Sequence, residues 1–157
     1  MGRELIVAWA GKHQREPWSA LCSDLRRRIA RFAPVREVVV RVRRTEERAR
    51  LEEEATALLD ALPDPCRVVA LVRTGRSLDS EGFARWLVRE RAEWPHALAF
   101  LVGSDLGLGP QVLDRATLQL SFGPMTLTHE AARLVLYEQI YRAFAIAHGI
   151  KYHRAPF

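Results

Sequence analysis

The residues whose types could do chemistry crowd toward the C-terminal end of the chain. His129 stands beside Thr128 and Glu130 at the start of a helical pattern that runs to Ala147, and Arg142 lies on that helix. The chain closes with Lys151-Tyr152-His153-Arg154. A ring for stacking, an arginine for phosphate and a histidine for either suit a nucleic-acid partner; the alternative is a frayed terminus. His129 is open to three readings: a base, a substrate contact or a cap-region residue. Just before it, Leu118–Phe122 reads as a short strand ended by Gly123-Pro124. Small residues at a turn, with a helix N-terminus aimed at the same place, make a ligand site.

A second small-residue segment, Gly103-Ser-Asp-Leu-Gly-Leu-Gly109, follows an apolar run. It lacks the early second glycine and the first-strand position of a dinucleotide loop, so it reads equally as a tight strand-to-helix turn. The chain has no GxxxxGK[ST] and no GxSxG, and no Ser-His-Asp set is apparent. The two cysteines, Cys22 and Cys66, form no disulfide or metal spacing and read as packing residues. No His/Cys/Asp/Glu cluster has ligand spacing, so no metal is expected.

The elements that must position these residues alternate along the chain. Glu4–Gly11, Val35–Val42, Arg67–Val72, Ala97–Val102 and Leu118–Phe122 read as strands, and the central ones are near-continuous apolar runs. Between them come helices over Trp18–Ala33, from Thr45 to about Ala61, from Ser80 or Asp79 to about Trp94, and a short one from Pro110. This pattern predicts an α/β fold: a mostly parallel sheet of five to six strands with helices on both faces, in one domain over 1–157. Ligands on such sheets sit beyond the C-terminal strand ends, here the loops after Val72, Val102 and Phe122. The last helix is apolar on two stripes, and the second is a candidate dimer interface.

The chain carries a formal charge of +5, unevenly. Residues 12–50 hold twelve Lys/Arg against five Asp/Glu, and all but Lys12 and Lys151 of the chain's basic residues are arginine. The surplus points to an anionic partner, nucleic acid above all, with Arg26–Arg31 on the first helix as phosphate contacts; the alternative is solvated helix faces rich in arginine. No apolar run approaches a membrane span and no secretory pattern opens the chain, so a cytoplasmic protein with no membrane partner is expected.

Gly103, Gly107-Leu108, Thr126-Leu127-Thr128-His129-Glu130, Arg133, Glu138-Gln139, Tyr141-Arg142-Ala143 and Tyr152-His153-Arg154 together resemble the RlmH-type SPOUT RNA methyltransferases. The resemblance implies a C-terminal trefoil knot, a homodimer, and methylation of N3 of a pseudouridine in 23S rRNA on the ribosome. It implies S-adenosylmethionine as cofactor, held by the loops Leu71-Val72, Gly103-Ser104 and Phe122-Gly123-Pro124-Met125-Thr126-Leu127-Thr128. In the family the tail of one protomer helps complete the other's site, and Tyr152, His153 and Arg154 match that tail; on this basis His129 and Arg142 are expected to shape the nucleotide pocket, with His153 or Arg154 of the partner chain positioning the base or its phosphates. Two positions depart from the family: Gly103-Ser104, with Asp105 next, stands where Gly-Gly is usual, and Val72 where an acidic residue is frequent. Those departures keep a second reading in play, a non-catalytic RNA- or ribosome-binding relative. A flavodoxin-like or nucleotide-binding α/β domain is a third.

Overall fold

The computed structural model describes residues 3–154. Five strands, β1 (Leu5–Ala10), β2 (Val35–Val40), β3 (Cys66–Ser77), β4 (Ala97–Val102) and β5 (Leu118–Ser121), form one sheet in the order β2-β1-β4-β3-β5. Every pairing is parallel. The five helices are α1 (Trp18–Ile29), α2 (Glu47–Asp60), α3 (Ser80–Glu93), α4 (Pro110–Arg115) and α5 (His129–Ala147).

The two-residue period of the strands divides the core. Leu5, Val7 and Trp9 of β1 and Leu98, Phe100 and Val102 of β4 face α1, α3 and α5. Ile6, Ala8 and Ala10, with Ala99 and Leu101, face α2 and α4. Because β1 and β4 are central, all their residues are buried, which is why they read as unbroken apolar runs. Each large aliphatic or aromatic side chain so buried contributes about 1.5–3 kcal/mol.

Local chemistry sets the helix ends. Glu46 caps α2 through its carboxylate, which accepts from the amides of Arg48 and Ala49, so the helix begins two residues after Thr45. Asp79, not Ser80, caps α3. Pro110 opens α4 at its first turn, where the missing N–H costs no hydrogen bond. α5 packs against both α1 and α3, so most of its two apolar stripes is covered within the chain.

The largest departure from the sequence expectation is β3, which runs past Val72 to Ser77. Leu71 pairs with Leu120 of β5, and so does Arg76, with a register shift between them. The chain therefore bows out over residues 72–75 and returns to the same partner strand. Gly75 allows the return: a Cβ there would lie 2.6 Å from the carbonyl oxygen of Gln119. Polarity hid this extension, because Arg73-Thr-Gly-Arg-Ser reads as a loop, and only the neighbouring backbone makes it a strand.

Candidate active site

Leu71 is paired with Val102 on one side and Leu120 on the other. The loops that begin at Val72, Gly103 and Phe122 therefore leave three adjacent strands at nearly the same level. Hydrogen bonds tie two of them together. Arg73 Nη1 donates to the Pro124 carbonyl at 3.1 Å, and Ser121 Oγ donates to the Arg73 carbonyl at 2.8 Å. The Gly123 amide donates to Ser121 Oγ at 2.9 Å. Gly123 has φ +118°, a conformation side chains rarely adopt, so glycine makes this turn possible. Met125 is 82% exposed and Leu127 41%, so this loop presents apolar side chains to solvent.

The loop after β4 folds on itself. Gly103 accepts no side chain, since a Cβ would sit 2.7 Å from the backbone of Gly107. Ser104, which stands where the family has its second glycine, and Asp105 after it both bond to α2. Ser104 Oγ donates to Glu54 Oε1 at 2.7 Å and accepts from the Leu106 amide. Arg50 Nη2 donates to Asp105 at 2.7 Å. That guanidinium holds the Asp105 carboxyl below its ordinary range, chiefly by the hydrogen bond and then by charge.

α5 starts beside this loop. Thr128 caps it by accepting from the Ala131 amide at 3.1 Å, and His129 follows, half exposed, with Nε2 4.0 Å from Glu130. One turn on, Arg133 is buried, its guanidinium 4.2 Å from the ring centre of Trp9. A cavity of about 250 Å³ opens here, lined by Trp9, Lys12, Arg50, Glu54, Ser104 and His129, among others including Arg133.

The other end of α5 carries the tail. Arg142 makes a forked pair with Glu138, both bonds 2.9 Å, and lies over the Tyr152 ring at 4.8 Å. Tyr152 Oη donates to Glu138 at 3.2 Å, and its ring meets Tyr141 edge-on. Burial, then the Glu138 charge, pushes the Tyr152 phenol above its ordinary value, so it remains a donor at neutral pH. Arg142 Nη1 donates to His153 Nδ1 at 3.1 Å. A guanidinium cannot accept, so Nδ1 is the acceptor and the ring proton sits on Nε2.

The structure thus groups the expected site residues in two places. Leu71, Val72, Gly103, Ser104, the 122–128 loop and His129 gather at the strand ends; Arg142, Tyr152 and His153 gather at the far end of α5. Arg154 is exposed, with no ion pair among the described residues. Thirteen helical positions separate His129 from Arg142, roughly 20 Å of axis at 1.5 Å each. Sequence reading missed Trp9, Lys12, Arg50 and Glu54. They lie 50 or more residues from the loops they meet, and no local spacing announces them.

The sequence profile described as predicted SPOUT methyltransferase matches residues 4–153. The chain belongs to the SPOUT methyltransferase family. Within it, several similar proteins carry the name ribosomal RNA large subunit methyltransferase H. The one from Rubrobacter xylanophilus is 44% identical over 142 residues, covering 87% of this chain and 90% of the relative. Another, from Streptococcus pneumoniae, is 36% identical over 158 residues, covering 96% and 99%. Among solved structures, the SpoU methyltransferase AviRb from Streptomyces viridochromogenes, in complex with AdoMet, aligns with TM-score 0.47 and 14% identity. That alignment covers 90% of this chain and 58% of AviRb.

Proposed function

We propose that this chain is an S-adenosylmethionine-dependent rRNA methyltransferase that acts on N3 of a pseudouridine in 23S rRNA on the assembled ribosome. It works as a homodimer with a C-terminal trefoil knot, in the cytoplasm. The observation that carries the reading is the convergence of the three loops through Leu71, Val102 and Leu120. The relatives' shared name supplies the substrate class. The knot is what membership of the SPOUT family implies.

The three loops fit the cofactor. The Gly103 turn admits no Cβ, and Met125 and Leu127 offer exposed apolar surface. Leu71-Val72, Gly103-Ser104 and residues 122–128 would hold it, largely through backbone. Bound there, it supplies a methyl group on a sulfonium. The chain must then orient the target ring, keep water out and help a weakly acidic N–H lose its proton. His129 stands at the edge of the loop cluster for that task.

Within one chain, His129 and Arg142 cannot grip one nucleotide. A second copy restores the convergence: the Glu138–Arg142–Tyr152–His153 cluster of one protomer beside His129 of the other. The cations left for an RNA backbone also differ from the first expectation. Arg26, Arg27 and Arg28 are engaged by Glu37 and Asp24. Arg31, Arg41, Arg43, Arg76, Arg85 and Arg89 have no carboxylate within 4.0 Å among the described residues.

Titration calorimetry with S-adenosylmethionine separates this reading from the non-catalytic relative. Saturable binding, one molecule per chain, is expected. A folded chain that takes up no cofactor would be the binding module.

A further inference from the structure

Arg133 is the one buried basic residue among the described residues. It is 2% exposed and stacked on Trp9, and no carboxylate lies within 4.0 Å among the described residues. Its Nε is buried without a hydrogen-bond partner. Desolvation lowers its proton affinity, yet a guanidinium stays charged near neutrality. Glu130 and Glu37 favour its charge from beyond 4.0 Å, but neither hydrogen-bonds it. A buried cation without a bonded partner is unfavourable, and the open space beside this one is the cavity it lines.

The other charges of that cavity are mostly committed. Glu54 accepts from Ser104, with its second oxygen 3.7 Å from Arg50, and Asp105 is held by Arg50. Lys12 is exposed, has no ion pair among the described residues, and accepts the Trp9 indole N–H at its carbonyl, 2.8 Å away. Arg133 and Lys12 are therefore two cations, neither with a carboxylate within 4.0 Å among the described residues, on a cavity of about 250 Å³, several times the roughly 30 Å³ share of one water. His129 stands on the same wall, and Ser104 joins it to the cofactor loops.

We infer that this cavity is an anion site that seats a phosphate of the RNA strand being methylated. Arg133 and Lys12 hold the phosphate, and Trp9 keeps the guanidinium flat and in place. The identity of the phosphate donor rests on the methyltransferase reading; the anion site rests on Arg133. The cofactor's own carboxylate is the other source of the same chemistry.

The test follows the Trp9 indole N–H by NMR in the full-length chain, assigned with Trp9→Phe, as inorganic phosphate is added. A saturable shift is expected. Affinity should fall tenfold or more in Arg133→Met and several-fold in Lys12→Gln, and the shift should persist with saturating S-adenosylmethionine. No saturable shift, or equal affinity in both variants, overturns the site. If Arg133→Met does not fold, the exposed Lys12→Gln decides alone. Exclusion of phosphate by the cofactor overturns the RNA assignment, because the carboxylate then occupies the cavity. Phosphate binding requires no methyl transfer. A chain that binds phosphate but never methylates loses the enzymatic reading, and one that methylates with an indifferent cavity loses this inference.

Discussion

Arg50 of α2 reaches across to Asp105 in the loop after β4, 2.7 Å from its carboxylate, and the neighbouring Glu54 takes the hydroxyl of Ser104. Ser104, which replaces the second glycine of the family's pair, and the Asp105 that follows it are thus both fastened to a helix. The negative charge of Asp105 is answered by Arg50, not left facing a cationic ligand.

Asp105→Ala should loosen the loop. Cofactor affinity is expected to drop several-fold by calorimetry, with little change in thermal stability because the pair is exposed. The pH dependence has a definite sign. The folded carboxyl titrates below its ordinary value, so the anchor is fully present above about pH 4 and is lost as pH falls through the depressed value. Cofactor affinity unchanged in Asp105→Ala would show that the loop holds without this pair.

Glu54 matters for a different reason. It is buried, so Glu54→Ala strands the Ser104 hydroxyl and leaves Arg50 with less compensation. A loss of about 1–3 kcal/mol in urea unfolding is expected. Ser104→Gly, which restores the family residue, should soften the penalty in the double variant.

Gly75→Ala tests the return of β3. The added methyl would meet the Gln119 carbonyl oxygen at 2.6 Å, its carbon at 2.7 Å and the Leu120 carbonyl carbon at 3.0 Å; all three are backbone atoms, so none yields cheaply. A destabilisation of about 1–3 kcal/mol or more is expected, with loss of methyl transfer. A chain of unchanged stability would mean that β3 and β5 separate more readily than their pairing suggests.

The tail divides from the cofactor site. Arg154→Ala should preserve cofactor affinity and lower turnover on ribosomes. Charge reversal at Arg85 and Arg89, which carry no partner carboxylates, should weaken ribosome binding and flatten its salt dependence by about two in slope. Reversal at Arg26 and Arg27 should do less, since both already face acidic side chains.

Much of the architecture was legible in the residues. The apolar runs of β1 and β4 announce central parallel strands, and the prolines after α1, α2 and α3 announce where the helices stop. The loops at the strand ends were visible as glycines. What could not be read was whatever depends on distant backbone: the second half of β3, whose polar residues are strand only because β5 lies beside them, and the α2 anchors, separated from Ser104 by 50 positions. Nor did the apolar stripes of α5 reveal their cover, because burial against α1 and α3 and burial against another copy look alike in sequence. Thr126-Leu127-Thr128-His129 pointed to the loop that enters α5, but the work of Thr128 as a cap and the setting of Arg133 against Trp9 appear only in three dimensions.

The most direct measurement is transfer of a labelled methyl group from S-adenosylmethionine to ribosomes that lack this modification, with free 23S rRNA in parallel and the product nucleoside identified by mass. The account predicts a methylated pseudouridine from the ribosomes and little from free rRNA. A folded, cofactor-binding protein that leaves the label untransferred, or places it on another nucleoside, would contradict it.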